Sequence, residues 1–156
     1  MNQSIFLIVN DIEKQVSIRE ADTLLFVLRE RLGLFGAKAG CENGDCGSCT
    51  ILVDDRPYNA CHMLAIEAEG KRITTIEGLQ QSPFQEKFIK NWAIQCGFCT
   101  PGFILNCHAL LEQYPNADEA TILEALDSNI CRCTGYEEIK QTVQEVIQWK
   151  RASGET

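Results

Sequence analysis

Long apolar runs are missing from this 156-residue sequence, and no stretch of about 18 apolar residues is available to span a bilayer. The first residues carry no basic start, apolar core and small-residue cleavage site, so no secretory signal is expected and the chain is read as cytoplasmic. Positive charge is scarce as well. Fourteen Lys and Arg stand against 22 Asp and Glu, a formal charge of -8 that repels phosphate backbones and argues against a nucleic-acid partner. There is no low-complexity excess and no disorder signature. The length leaves no room for a nucleotide-binding domain and a substrate domain together. Cysteine is the residue present in excess. Nine of them, an odd number in a chain without a leader, point to metal binding or redox chemistry rather than to a disulfide framework.

The hydrophobic period changes along the chain. Ile5–Val9 is a short β-branched run, Asn10-Asp11 a turn signal, and Gln15–Ile18 alternates, which together predict a β-hairpin. Leu24, Leu25, Leu28 and Leu32 recur at helical spacing, with Asp22 or Thr23 as N-cap and Gly33 past the end. A Gly-rich loop over 36–49 follows, then strand signals at Thr50–Val53 and Ile73–Ile76, with an Asp54-Asp55 turn after the first. The first half is therefore α+β. The second half reads as four short helices, enough for a compact bundle. They start at Ser82-Pro83 and Thr100-Pro101, and run over about 118–127 and 137–150. Phe84, Phe88, Ile89 and Trp92 are expected on one face, as are Ile122, Leu123 and Leu126 on another. The division predicted is residues 1–76, a linker at 77–82, and residues 83–156. Neither part is large, so each is expected to need something besides its apolar core.

Four cysteines read Cys41-x4-Cys46-x2-Cys49-x11-Cys61, the plant-type ferredoxin spacing for a [2Fe–2S] cluster. Gly40, Gly44 and Gly47 permit close backbone approach, and backbone N–H groups can then face the anionic sulfurs. Structural zinc instead favours two paired knuckles, so the spacing favours iron–sulfur. The other four read Cys96-x2-Cys99-x31-Cys131-x1-Cys133, with the first pair at a helix start. Spacing alone leaves zinc or a redox dithiol open for this group.

Three motifs in order narrow the choice. Residues 36–50 read GAKAGCENGDCGSCT, residues 95–102 read QCGFCTPG, and residues 129–136 read NICRCTGY. Together they resemble the iron–sulfur subunit of the xanthine dehydrogenase family of molybdenum hydroxylases, over about residues 4–150. The resemblance implies a plant-ferredoxin-like β-grasp domain followed by an all-α four-helix-bundle domain. It implies two [2Fe–2S] clusters, one on Cys41, Cys46, Cys49 and Cys61, the other on Cys96, Cys99, Cys131 and Cys133. It also implies that Gln95 and Cys133 approach a molybdopterin held by a large partner chain, that FAD sits on a further chain, and that such heterotrimers pair. On this reading no catalytic residue lies here. The chain passes single electrons from molybdenum through both clusters to flavin while the complex hydroxylates a purine, another N-heterocycle or an aldehyde. Ala37 and Ser48 stand where relatives often have Thr and Ala, and neither affects a ligand.

Competing readings are a free-standing ferredoxin-like carrier and a structural zinc-binding interaction module. A carrier needs one cluster domain, which leaves the second half unexplained. Cys107 falls on an apolar helix face and is expected to be a buried, inert thiol. His62 and His108 are expected to be packed or surface residues, since a Rieske centre needs two histidines on one iron. Arg132 and Lys38 could balance cluster charge, and Trp92 and Trp149 are expected in the core or at an interface.

Overall fold

A computed structural model describes residues 2–79 and 82–153. Part of the 77–82 linker, residues 80 and 81, lies outside the described residues. The chain is mixed α+β. Strands β1 (Asn2–Val9) and β2 (Ile12–Arg19) form the hairpin predicted, pairing Val9 with Ile12. Both turn residues, Asn10 and Asp11, take left-handed φ values of 52° and 63°. That is the twist which joins two right-twisted strands in two residues. Helix α1 (Leu24–Phe26) is capped by the Thr23 hydroxyl and widens into a π turn over Val27–Arg31, where the Leu32 N–H donates to the Val27 carbonyl. Gly33, at φ 69°, ends it.

Three further strands complete a five-stranded sheet in the order β2-β1-β5-β3-β4. They are β3 (Thr50–Val53), β4 (Arg56–Asn59) and β5 (Arg72–Thr74). β5 runs parallel to β1 and antiparallel to β3. The polar stretch at β4 carries no strand signal in the sequence. It pairs with β3 because Asp54 and Asp55, both left-handed, turn the chain back on itself. A short 3-10 turn at Ala65–Ala68 also lacks a sequence signal. β5 is shorter than Ile73–Ile76, because Thr75 leaves the ladder to bond the Asn10 side chain.

The second half holds α2 (Pro83–Lys90), α3 (Thr100–Gln113), α4 (Glu119–Leu126) and α5 (Glu137–Ser153). Asp118 caps α4 by accepting from the Thr121 N–H. Two apolar clusters result, one under the sheet and α1, the other among α2–α5. β3 joins them. Its residues are all buried, and side chains alternate across a strand. Ile51 and Val53 enter the first core, while Leu52 enters the helical one beneath α3. The apolar faces of α2 and α4 are narrower than predicted. Ile89 and Leu123 are 70% and 44% exposed, because Phe84, Phe88, Ile122 and Leu126 suffice to cover the neighbouring helices, and Trp92, 83% exposed, lies past the end of α2 at a left-handed φ of 58°. Trp149 is likewise not a core residue.

Asn10 links the hairpin turn to the chain leaving β5. Its amide donates to Thr75 Oγ1 at 3.0 Å and accepts from the Thr75 N–H at 2.9 Å. It also fills the space that a side chain at Gly78 would take. Asn10→Ala is predicted to cost about 1–3 kcal/mol, since the N–H of buried Thr75 loses its acceptor and its hydroxyl loses a donor. An unchanged denaturation midpoint would contradict this assignment.

Candidate metal centres

The first group of cysteines begins on the loop that connects α1 to β3. The Lys38 N–H donates to the Ser48 carbonyl at 2.9 Å and closes the loop at its base. Inside it, Glu42, Gly44 and Gly47 have left-handed φ values of 57°, 88° and 66°, which coil the backbone around the thiols. At Gly40 a Cβ would lie 2.8 Å from Cys46 Sγ, so a side chain there would displace that thiol. Asn59 Nδ2 holds the Gly44 carbonyl at 2.7 Å, and the His62 ring lies against Gly44. Thus β4, the strand without a sequence signal, steadies this loop and delivers Cys61. Cys41 is exposed and receives the Cys46 N–H at 3.3 Å, while Cys49 and Cys61 are buried and adjoin each other.

The second group comes from two places. Cys96 and Cys99 precede α3, and Cys131 and Cys133 lie between α4 and α5. Cys96 Sγ and Cys133 Sγ are 3.8 Å apart at the surface, and Cys99 and Cys131 adjoin beneath them. Three donors face Cys131 Sγ: the Thr134 hydroxyl at 3.2 Å and the N–H groups of Cys133 and Thr134, each at 3.4 Å. The Cys131 N–H itself donates to the Tyr136 hydroxyl at 2.9 Å. The Tyr136 ring meets Phe103 of α3 edge-on at 6.2 Å, which fixes the Cys131 segment to the helix start.

The thiols differ sharply in how readily they ionise. The N–H groups of Asn43 and Cys46 lower the Cys41 thiol to about 7. Burial works against Cys131, but the Thr134 hydroxyl and the two N–H groups outweigh it and lower that thiol too. Burial raises Cys49 to about 12, and its neighbour Cys61 adds to the effect. Burial raises Cys99 to about 12 as well, with Cys131 beside it. Cys133 is raised by the Cys96 thiol it touches. In each group a neighbouring thiol raises Cys49, Cys99 or Cys133, and a cationic centre between the sulfurs would favour their thiolate forms. Four thiols, glycine-lined walls and aimed N–H donors are a donor set that fits a small sulfur-bridged iron centre. Among the described residues, no three His, Cys, Asp or Glu converge on a point that one ion could occupy. The thiols meet in twos instead.

The remaining candidates divide clearly. Cys107 is completely buried, at 0% exposure, and burial alone raises it to about 12, as expected of an inert thiol. Gln95 and Arg132 are exposed beside the second group. Lys38 Nζ donates to the Phe35 carbonyl, which anchors the loop rather than reaching a thiol. His108 lies on α3 away from both groups, and burial holds it below the ordinary imidazole range. Two residues inside the quoted motifs, to which the sequence assigns no role, lie between the two groups. Phe98 packs near Gly40 of the first loop. Asn129 is 1% exposed and donates across to the Gly47 carbonyl at 2.8 Å. The two groups are therefore neighbours: the Ile130 N–H also donates to the Cys46 carbonyl at 3.0 Å.

Comparison with known proteins finds two iron–sulfur families along the chain. Residues 7–75 match a family described as a 2Fe-2S iron-sulfur cluster binding domain, and residues 75–144 one described as a [2Fe-2S] binding domain. The chain is 43% identical over 138 residues to the nicotine 6-hydroxylase small subunit of Paenarthrobacter nicotinovorans, covering 86% of this chain and 84% of that one. It is 41% identical over 135 residues to a subunit of a probable xanthine dehydrogenase of Bacillus subtilis, covering 82% and 78%. It superposes on a chain of quinoline 2-oxidoreductase from Pseudomonas putida 86 with a TM-score of 0.91 and 37% identity, covering 99% of each.

The thiol environments predict an order of reactivity in the metal-free chain. Cys41, at about 7, is roughly half ionised at neutral pH and is alkylated first, while Cys107, at about 12, stays unlabelled until the fold opens. Peptide mapping after brief iodoacetamide treatment reads this order. Labelling of Cys107 at the rate of Cys41 would contradict it.

Proposed function

The chain belongs to the iron–sulfur small subunits of the xanthine dehydrogenase family of molybdenum hydroxylases, and on that premise we propose how its residues serve electron transfer. It is the electron-transfer subunit of a multi-subunit oxidoreductase and binds two [2Fe–2S] clusters. When bound, each cluster supplies a one-electron redox centre. Our reading assigns Cys41, Cys46, Cys49 and Cys61 to one cluster and Cys96, Cys99, Cys131 and Cys133 to the other. The observation that carries it is the meeting of the thiols in pairs: Cys41 with Cys46, Cys49 with Cys61, Cys96 with Cys133, and Cys99 with Cys131. A dinuclear centre takes two thiolates per iron, and two pairs in each group supply that number.

The protein's own part is to hold the ligands, aim donors at them and bring the two sets together. N–H groups of the 41–46 loop and the Thr134 hydroxyl stabilise thiolate charge. A short bonded connection between the sets runs from Cys46 through its carbonyl to the Ile130 N–H and on to Cys131. We read the first half, to about residue 76, as the plant-ferredoxin-like β-grasp domain and the helices from residue 83 as a four-helix bundle. Exposed Gln95, Cys96 and Cys133 turn the second centre toward a large molybdopterin-binding chain, where the Gln95 amide pairs with the pterin edge. The first centre, with Cys41 exposed, faces an FAD-binding chain. Electrons pass singly from the first partner to the second, and paired heterotrimers give the full enzyme. No described helix is long and apolar enough to cross a membrane, and free thiols suit the cytoplasm. Among substrates we favour an N-heterocycle, in line with relatives named for nicotine and quinoline.

Metal analysis tests the assignment. Two clusters amount to four irons and four acid-labile sulfides per chain, without zinc. Two zinc ions and no sulfide would end this reading. Cys133→Ser is expected to remove the helical-half signal in electron paramagnetic resonance after dithionite reduction while the other signal persists. Loss of both would mean that the two centres do not assemble independently.

A further inference from the structure

Asn129 is buried between the two cysteine groups, and among the described residues its amide hydrogen-bonds no cysteine. Its Nδ2 donates to the Gly47 carbonyl at 2.8 Å, and its Oδ1 accepts from Asn106 Nδ2 of α3 at 2.9 Å. Its own N–H bonds the Leu126 carbonyl at the end of α4. One residue thus ties a loop of the first half to two helices of the second. The Gly47 carbonyl does not need Asn129 for satisfaction. It already accepts from the Thr50 N–H at 3.1 Å and the Thr50 hydroxyl at 2.7 Å. What the third donor adds is position. The fit around it is tight. A Cβ on Gly47 would lie 2.4 Å from Asn129 Nδ2, and one on Gly102 would lie 2.3 Å from the Gly47 oxygen. The first loop and the start of α3 therefore touch backbone to backbone. At this contact the Asn129 amide both donates across to the loop and accepts from the helix behind.

We propose that Asn129 is a positioning residue that sets the separation of the two cluster-binding loops and thereby the electronic coupling between the clusters. The proposal rests on the assignment of the eight cysteines as ligands. Asn129 stands two residues before Cys131, and Gly47 directly follows Cys46, so their bond links the two ligand segments themselves. The Ile130 N–H holds the Cys46 carbonyl beside it. Removing the amide leaves, among the described residues, the Ile130 N–H to Cys46 carbonyl bond between the two ligand segments and opens space in which the loops can shift.

The test uses the intact complex carrying Asn129→Ala, and separately Gly102→Ala, which keeps the Asn129 side chain but sets a Cβ against both the Gly47 oxygen and the Asn129 amide and so wedges the loops apart. Iron and sulfide per chain are counted first. The magnetic splitting between the two fully reduced clusters is then read by electron paramagnetic resonance, and the intercluster transfer rate by rapid mixing. Unchanged iron and a reduced splitting are expected in both variants. The intercluster rate is expected to fall several-fold, because electron tunnelling weakens steeply as the two centres move apart. Full iron with wild-type splitting and rate would overturn the proposal. Loss of iron from both variants would overturn it as well, since Asn129 would then build a cluster site rather than space two of them. A wild-type complex without acid-labile sulfide would instead defeat the ligand assignment itself.

Discussion

Gly47 and Gly102 meet with no side chain between them, and the organisation of the chain follows from that contact. A Cβ on either would drive into backbone or into Asn129. Because the approach is this close, the Cys46 and Gly47 carbonyls can accept from Ile130 and Asn129, and two thiol groups far apart in sequence become neighbours. Electron transfer needs centres that are close and fixed. A flexible tether between two independent cluster domains would supply neither, whereas hydrogen bonds between the binding loops themselves supply both.

The remaining architecture supports this junction. β3 is buried on both faces, sending Ile51 and Val53 into one core and Leu52 into the other. It starts immediately after Cys49, so the strand that joins the two halves also anchors the first loop. α3 starts immediately after Cys99 and packs against β3, so the same pair of elements positions one ligand from each group. Cys61 follows β4, whose pairing with β3 brings it back beside Cys49. The cores thus do more than stabilise each half. They aim the loops at one another.

Much of this is legible in the residues. The cysteine spacings, the glycines and the three motifs lead to two clusters, and the proline-marked helix starts fall where the helices begin. Cys107 shows itself as an apolar-face residue and is fully buried. Other features leave no trace in a one-dimensional pattern. β4 reads Arg56-Pro57-Tyr58-Asn59, with neither alternation nor β-branched residues, and exists because the Asp54-Asp55 turn and its partner strand impose it. Ile89 matches the helical period of α2 yet points outward, since periodicity gives a face but not how much of it is covered, and Trp92 falls beyond the helix end at Lys90, where the backbone turns left-handed. Asn129 lies within a motif that identifies the family, but its bond to Gly47 crosses 82 positions in sequence, and no local signal announces such a bond.

Charge completes the account. The chain carries -8 before any cofactor is bound, and each oxidised cluster with its four thiolates is itself formally anionic. Aimed N–H groups and the Thr134 hydroxyl meet part of that charge within the chain. We propose that both centres act as one relay between two partner chains, and that proposal is the central claim. It is tested most directly in a complex stripped of its flavin and given one N-heterocyclic substrate that it oxidises. The account predicts that turnover stalls with both clusters of this chain reduced, each by one electron. Substrate oxidation that continues while both clusters stay oxidised would contradict it.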